Sequence, residues 1–325
     1  TAKLDSNADI VWQQTLNGVS YDFGVDLTVD TNGNVYITGG TYDQSNYDLL
    51  IAKYDNNGSI QWQRLLGDIY SESGYCVTTD SNNNVYVIGT TTSQGEGYYD
   101  LLIAKYDSDG IIQWQRLLGG IAYDFGYGIT TDSNNNVYVT GAASSPPAII
   151  IAKYDSDGII QWQRTLTSVN NNRGYGIACD SNNNVYVSGT AQNIVSGYDL
   201  FIAKYDSDGI IQWQRTFGGV NTDDQYYYYG LKSIAVHNNL LTVTGYTYTP
   251  NLPNSNALVL QVPTDGNGVG VYGDFTYAVA NLTDQVGTLV DQVGTLIDQA
   301  GTLPTGTGEL VVSNNDYTSD LTEIS

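Results

Sequence analysis

The sequence predicts an all-β protein built from one unit that recurs along the chain. The segment YDSDGIIQWQR occurs three times without change, at 106–116, 154–164 and 205–215, and looser copies stand at 1–14 and 54–64. A second marker of the type DSNNNVYVTG recurs in step at 30, 80, 132 and 180, with a degenerate copy at 236. Repetition with a period of roughly 50 residues indicates stacked repeats, because one such unit cannot bury its faces alone. All tryptophans of the chain obey this spacing: Trp12, Trp62, Trp114, Trp162 and Trp213.

Each unit predicts four short antiparallel strands. In 126–166, GYGITTD leads through the turn SNNN to VYVTG, and AIIIAKY leads through the turn DSDG to IIQWQRTL. The strands are rich in Val, Ile, Tyr and Thr, and Asn, Asp and Gly supply the tight turns between them. Four antiparallel strands in a period of about 50 residues are typical of a β-propeller blade.

The number of blades depends on both ends of the chain. Five units begin near residues 24, 74, 126, 174 and 230, and the last ends near VGVYGDFTY (269–277), with Tyr272 at the tryptophan position. The N-terminal strands TAKL and DIVWQQTL correspond to the outer half of a further blade, and 308–325 is typical of a hairpin. Strands from both termini would close a ring and remove free edges. We therefore predict a propeller of six blades, with 308–325 pairing to 1–16. Five blades with loose ends, or a seven-bladed parent cut before Thr1, are the alternatives.

The repeat also carries a family resemblance. The residues AKYDSDGIIQWQR…GYGITTDSNNNVYVTG resemble the SBBP-type β-propeller repeats of bacterial and archaeal extracellular proteins, over residues 1 to about 277. The resemblance implies the propeller fold and no catalytic residue, since that family shares no catalytic motif. It also favours a structural role for YDSDGIIQWQR, because every blade must present the same packing residues to its neighbours.

Composition limits the partners. The formal charge is −23, and most basic residues fill one lysine column and one arginine column of the repeat, so no basic patch for nucleic acid is expected. No apolar run approaches the length of about 18 residues that a membrane helix needs, so no membrane insertion is expected. The chain starts at Thr1 and lacks methionine, which indicates a processed product or a fragment. Cys76 and Cys179 occupy different positions in equivalent strands, which argues against a disulfide between them.

Residues 282–303, LTDQVGTLVDQVGTLIDQAGTL, break the pattern. Apolar residues alternate there at spacings of four and three, with Val or Ala at one heptad position and Leu at the other. This predicts a short heptad helix within 278–304, between a propeller of residues 1–277 and a C-terminal hairpin of 305–325. Three glycines oppose a helix at about 1 kcal/mol each, so an irregular connector is the alternative. A helix here would favour self-association through 282–303.

The sequence offers no catalytic constellation, cofactor motif or metal site. His237 is the only histidine and lies in the turn of the degenerate unit. The DSDG turns resemble the start of a calcium loop, but calcium prefers six to eight oxygens, so an Asx-stabilised hairpin turn is favoured and calcium there is the alternative. Asn57 and Asn281 begin sequons and are glycosylation candidates.

The variable connections are the candidate binding surface. The SNNN and DSDG turns are nearly constant and must share one end of the strands, so the variable connections share the other. These connections are rich in Tyr, Ser, Asn and Gly, a mixture that recognition surfaces favour. The candidate ligand-binding residues are Tyr98, Tyr99, Tyr123, Tyr198, Tyr226, Tyr227, Tyr228 and Tyr229. The alternative is that these connections vary only because nothing constrains their sequence.

These features predict a non-enzymatic extracellular module on a cell or virion surface. It would bind a glycan or a surface protein and assemble into a fibre, sheath or virion appendage. The alternative is a polysaccharide-cleaving propeller enzyme, a hydrolase or lyase, which would use nonrepeating acids such as Glu72, Glu96, Asp223 and Asp224.

Overall fold

The computed structural model shows an all-β chain and describes residues 1–16, 20–42, 44–168, 172–193, 197–219, 233–247, 256–272, 275–280, 282–293, 295–300 and 305–306. Strands of this part of the chain form consecutive antiparallel sheets, as the repeat predicts. Four of these sheets contain a complete set of four consecutive strands, which we call blades I to IV.

Blade I contains β4 (Asp22–Val29), β5 (Val35–Tyr42), β6 (Tyr47–Tyr54) and β7 (Ile60–Gly67). Blade II contains β8 (Glu72–Thr79), β9 (Val85–Thr91), β10 (Asp100–Tyr106) and β11 (Ile112–Gly119). Blade III contains β12 (Asp124–Thr131), β13 (Val137–Ser144), β14 (Pro147–Tyr154) and β15 (Ile160–Thr167). Blade IV contains β16 (Arg173–Cys179), β17 (Val185–Asn193), β18 (Gly197–Tyr205) and β19 (Ile211–Gly219).

Two incomplete sheets flank the four blades. The N-terminal sheet pairs β1 (Ala2–Leu4) with β2 (Ile10–Gln13). The short strand β3 (Thr15–Leu16) follows β2 along the chain. The last unit, blade V, contains β20 (Ile234–His237), β21 (Leu240–Thr247) and β22 (Asn256–Pro263). Short strands follow in the C-terminal part: β23 (Gly270–Tyr272), β24 (Phe275–Val279), β25 (Thr283–Val286), β26 (Val290–Val293), β27 (Ile297–Ala300) and β28 (Thr305–Gly306).

The repeated residues hold neighbouring blades together, so the structural interpretation of YDSDGIIQWQR is confirmed. The core consists of apolar clusters that each span two neighbouring blades. At the edge of the cluster between blades I and II, Trp62 Nε1 donates to the carbonyl of Ser108 at 3.1 Å, and Lys53 Nζ donates to the same oxygen at 2.8 Å. The Lys53 ammonium also lies 5.4 Å from the ring centroid of Tyr36. The same set recurs at the next junctions with Trp114, Trp162 and Trp213.

Gly158 shows why the DSDG turn ends in glycine. Its φ is +77°, a left-handed conformation that other residues adopt at a cost, and an added Cβ would lie 2.7 Å from the ring of Trp114 in the preceding blade. The carboxylate of Asp155 completes the turn by accepting the backbone N–H groups of Asp157 and Ile159 at 3.0 and 2.9 Å. One glycine therefore serves both the turn and the blade junction.

The heptad segment is not a helix, and this prediction was wrong. Its described residues form β25, β26 and β27, which pair antiparallel with the outermost strands of blades III, II and I. β24 pairs in the same way with blade IV, and β28 pairs with β3. We call β24 to β28 the belt, because it runs along the outer edges of the blades in reverse chain order.

The belt explains the seven-residue period. Seven extended residues reach at most about 25 Å, which allows one short strand and one link for each blade. The link leucines point inward, with Leu282 and Leu296 buried, whereas Val286 and Val293 are exposed. The amide of Gln163 clamps the belt, since Nε2 donates to the Leu289 carbonyl at 2.9 Å and Oε1 accepts the Leu289 N–H at 3.2 Å. Gln115 clamps Leu296 with the same pair of bonds.

The fifth repeat also differs from the expectation. The segment predicted as its fourth strand forms β23 and β24, which pair with each other and extend blade IV beyond β19. Blade V also differs at the positions that dock a following blade in blades I to IV. Thr242 and Gln261 occupy the register of the tyrosine–lysine pair of the other blades, and they bond to each other at 3.1 Å. A terminal unit with a polar outer face is typical of the end of a repeat array.

The N-terminal sheet docks on blade I as a half-blade, as predicted. Trp12 Nε1 donates to the carbonyl of Asn56 at 3.1 Å, which reproduces the junction bond of the complete blades. Leu27 of β4 is nevertheless 51% exposed, whereas Val77, at the equivalent position of blade II, is 4% exposed. The predicted hairpin of 308–325 lies outside the described residues, so the number of blades stays a prediction.

The structure also bears on the cysteines and on the expectation that no helix spans a membrane. Cys76 and Cys179 are both free, and burial raises the pKa of both thiols. Within the described ranges, no helix is long and apolar enough to span a bilayer.

Candidate functional site: an aromatic cleft on the loop face

The two ends of the blades have different roles. At the end that carries the constant turns, here the turn face, side chains and carbonyls bond between blades. The αL residue Asn135, for example, accepts the Ser81 hydroxyl of the preceding blade at 2.8 Å. Because the strands run antiparallel in chain order, the variable connections lie at the opposite end, here the loop face. The loop face is therefore the end where sequence can vary without loss of the junctions.

A cleft of ≈ 330 Å³ opens on the loop face between blades II and III. Its lining consists of Tyr70, Thr92, Gly97, Tyr98, Tyr99 and Tyr123. The ring of Tyr123 stacks on Tyr98 at 5.3 Å and 14° and on Tyr99 at 5.6 Å and 29°. Tyr98 is 68% exposed, so one ring of the stack faces solvent. Stacked rings of this kind present a flat apolar face with polar hydroxyls at its border.

The aromatic contacts continue from the cleft along the first strands of the blades. Tyr99 contacts Phe125 at 5.3 Å, and Phe125 stacks on Tyr127 at 5.9 Å and 8°. Tyr127 in turn contacts Tyr75 of blade II and Tyr175 of blade IV. The cleft is therefore the exposed end of an aromatic row that crosses three blades.

Backbone contacts fix the loop that carries Tyr98 and Tyr99. The N–H of Tyr98 donates to the Ala122 carbonyl at 3.1 Å, and the N–H of Asp124 donates to the Tyr99 carbonyl at 2.8 Å. Gly97 permits this close approach, because an added Cβ would collide with the carbonyls of Gly120 and Ala122. The cleft is thus held by main-chain bonds that do not depend on the tyrosine side chains.

Buried carboxylates follow the lining residues of the cleft closely in sequence. Burial raises the pKa of Asp100 to about 6; the Gly97 N–H opposes this effect, and the charge of Asp124 adds to it. Burial also raises the pKa of Asp124, whose carboxylate accepts the Gly120 N–H at 2.7 Å. Glu72 is fully buried, with its pKa raised by burial, and accepts the Thr91 hydroxyl at 2.6 Å. These buried acids accept hydrogen bonds from the connections and are not exposed to solvent.

The belt reaches the same loop from the side. Gln292 Nε2 donates to Glu96 Oε1 at 2.7 Å, and Gln94 Oε1 accepts both the N–H and the hydroxyl of Thr295 at 3.0 Å. Residues about 200 positions apart in sequence are joined here. The belt therefore contributes to the shape of the cleft as well as to the edges of the blades.

The structure brings three of the predicted ligand-binding residues together: Tyr98, Tyr99 and Tyr123. The backbone of Tyr198 lies in β18, and Tyr226, Tyr227, Tyr228 and Tyr229 lie outside the described residues. Tyr70 was missed, because it is the only tyrosine of its connection and only the tertiary structure places it in the lining with Thr92 and Tyr98.

The sequon asparagines, His237 and the DSDG turns do not belong to the lining of the cleft. Asn57 is exposed in a turn of blade I, Asn281 lies outside the described residues, and His237 is exposed at the end of β20. Asp107 of a DSDG turn uses Oδ1 for two backbone N–H groups and Oδ2 for the amide of Gln113. Among the residues described here, no group of three or more His, Cys, Asp or Glu side chains is arranged to hold a metal ion.

Family comparison bears on the repeat directly. The family model "SBBP: Beta-propeller repeat" matches residues 11–47, 61–95 and 113–146. These segments are SBBP beta-propeller repeats. Each match runs from the last strand of one unit into the next blade, so the SBBP repeat includes the tryptophan of one blade and the inner strands of its neighbour. The predicted resemblance is confirmed for these three repeats, and the propeller fold is confirmed.

Solved structures include distant neighbours of the SBBP repeats. A catalytically inactive variant of virginiamycin B lyase from Staphylococcus aureus, solved with quinupristin, has 15% identity and a TM-score of 0.41, with 78% of this chain and 88% of that chain covered. The polysaccharide lyase Uly1 has 9% identity and a TM-score of 0.40, with 75% of this chain and 58% of that chain covered. The tail fiber of a Staphylococcus aureus phage has 9% identity and a TM-score of 0.25, with 77% of both chains covered. A comparison with curated proteins finds no match. At these scores the neighbours carry no argument about function.

Proposed function

We propose that this protein is a non-enzymatic extracellular binding module of a cell or virion surface and that its loop face recognises a glycan. The observation that carries the proposal is the cleft of Tyr70, Tyr98, Tyr99 and Tyr123, with its solvent-exposed ring stack. Tyrosine brings contact area and a hydroxyl at low entropy cost, which suits a surface that binds without reacting. A surface protein is the alternative ligand.

The rigid support of the cleft agrees with this role. Main-chain bonds, the buried carboxylates and the belt hold the loop before any ligand arrives. A preformed site loses less conformational entropy on binding than a mobile loop does. We infer that the belt and the junction residues serve stability, and that the loop face serves recognition.

A glycan array with the full chain tests the proposal. We expect binding to a restricted set of glycans, and we expect Tyr99→Ala to abolish it, because Tyr99 links the cleft to Phe125. Tyr21→Ala is the matched control, since Tyr21 is 76% exposed in the corresponding connection before blade I. Binding that survives in Tyr99→Ala would refute the cleft as the site.

A polysaccharide-cleaving enzyme is the second candidate, and one observation favours it: Asp100 and Asp124 directly follow the cleft residues Tyr99 and Tyr123, and burial raises the pKa of Asp100 to about 6. A raised carboxyl pKa suits a general acid. Both carboxylates are almost fully buried, however, and Glu96 is bonded to the belt. Release of reducing ends or unsaturated sugars from a polysaccharide panel by the full chain, and its loss in Asp100→Asn, would establish the enzyme instead.

Assembly into a fibre, sheath or appendage remains part of the proposal, without a coiled coil. The heptad residues are engaged along the blades in this chain. The exposed valines Val286 and Val293 nevertheless lie on the outermost strands that the structure describes in their sheets, and outermost strands can pair with other chains. Light scattering of the intact chain tests this point, and a monomer at all concentrations would refute self-association.

A further inference from the structure

Resting on the proposed function, we propose that the aromatic cleft recognises a protonated amino group on a pyranose ring, so that its ligand is an amino-sugar glycan. The proposal concerns the chemical class of the ligand. It follows from three features of the described residues: the faces of the tyrosine rings, the sign of the surrounding charge, and the size of the cleft.

The ring faces provide the first argument. The face of an aromatic ring carries negative charge density and attracts a cation within about 6 Å. This chain already uses its tyrosines in that way, since the Lys105 ammonium lies 5.3 Å from the ring of Tyr86 and Lys153 lies 5.3 Å from Tyr138. At the cleft the rings are the same, but the described lining contains no lysine or arginine. At the blade junctions a lysine of the chain lies over the tyrosine ring. At the cleft, a cation of the ligand can take that position.

The surrounding charge provides the second argument. Glu96 precedes the lining residue Gly97, and Asp68 lies two residues before Tyr70. The whole chain carries a formal charge of −23, so anionic glycans are repelled and cations are drawn to the surface. An aromatic site within this field selects a ligand that is both cationic and flat on one side.

The size of the cleft provides the third argument and favours a sugar over a peptide. A volume of ≈ 330 Å³ is at the small end of the range for ligand sites, which suits one unit of a chain rather than a folded segment. The exposed face of Tyr98 can stack against the C–H face of a pyranose. The Thr92 hydroxyl and the tyrosine hydroxyls at the border can bond to sugar hydroxyls.

A matched pair of oligosaccharides tests whether the ligand is an amino-sugar glycan. The tetrasaccharide of β-1,4-glucosamine and its fully N-acetylated counterpart have the same rings and linkage, but only the first is charged. We expect calorimetric titration of the full chain at pH 5.5 to show binding of the glucosamine tetramer, with at least ten-fold weaker binding of the acetylated form. We expect Tyr98→Ala to weaken binding of the charged tetramer at least ten-fold and Tyr98→Phe to retain it.

Controls separate the possible failures. Tyr21→Ala should bind like the parent chain, and all variants should keep the parent's urea midpoint. Equal affinity for both tetramers would overturn the ammonium preference and leave glycan recognition standing. Absence of binding to either tetramer and to a glycan array would overturn both proposals. Unchanged binding of the charged tetramer in Tyr98→Ala would show attraction by net charge alone and refute the site. Tighter binding of a tetralysine peptide would assign the cleft to a protein ligand.

Discussion

The belt makes a prediction that a coiled coil does not. In a coiled coil the two apolar positions of each heptad are both buried, so truncating either one destabilises the protein. In the belt, Leu296 is 3% exposed and packs in the cluster between blades I and II, whereas Val293 is 66% exposed. We therefore expect Leu296→Ala and Val293→Ala to differ strongly, although both change an apolar residue of the same repeat.

The magnitudes follow from burial. Replacement of a buried leucine by alanine costs about 2–5 kcal/mol, and we expect a value near the lower end for Leu296, because it lies between two short outer strands. Replacement of an exposed valine changes stability by about 0.5 kcal/mol. The expected difference in the free energy of unfolding is thus about 2 kcal/mol between two substitutions three residues apart.

Urea unfolding monitored by tryptophan fluorescence measures this difference, because Trp62 packs against the same cluster as Leu296. Hydrogen exchange of the backbone amides of Val290–Val293 adds a local measurement, since these residues pair with β11. We expect them to exchange faster in Leu296→Ala than in the parent chain. Equal destabilisation by the two substitutions would refute the belt. Strong destabilisation by Val293→Ala alone would also refute it.

Three further predictions concern the junctions and the buried acids. Trp162→Phe should cost about 1 kcal/mol in urea unfolding, because it removes the bond from Nε1 to the Ser207 carbonyl while most of the packing remains; an unchanged midpoint would contradict the junction role. Gly158→Ala should cost at least about 1 kcal/mol, since its φ is +77° and the new Cβ would meet the Trp114 ring; a stabilised protein would contradict this packing. The raised pKa of Asp100 means that the folded state binds this proton more tightly than the unfolded state, so its contribution to stability is present below about pH 4 and lost as the pH rises through about 6. Thermal unfolding of Asp100→Asn between pH 4 and 7 should therefore depend less on pH than that of the parent chain, and identical profiles would contradict the assignment.

Much of the fold could be predicted from local pattern alone. The alternation of β-branched and polar residues, the DSDG and SNNN turns and the spacing of the tryptophans determine the four-stranded unit, because strand period and turn conformation are local properties. The same repetition predicted that the residues of YDSDGIIQWQR pack between neighbouring blades, whereas the junction bonds of the repeated lysines were found only in the structure. At the candidate site, the comparison of variable with constant connections selected Tyr98, Tyr99 and Tyr123, which the structure brings together in one cleft. Their role in ligand binding stays a prediction.

The tertiary structure decided what the local pattern left ambiguous. A seven-residue apolar period fits a coiled coil and also fits a chain that steps along the edges of neighbouring blades, and only the presence of those edges selects the second. The place of Tyr70 in the cleft and the contact of Gln94 with Thr295 likewise depend on residues far apart in sequence. The sequence by itself determined the four-stranded unit and the end of the blades at which the connections vary, because these follow from hydrogen bonding within about 50 residues. The belt, the buried acids and the shape of the cleft required the assembled blades, because their free energy comes from contacts that no single repeat contains.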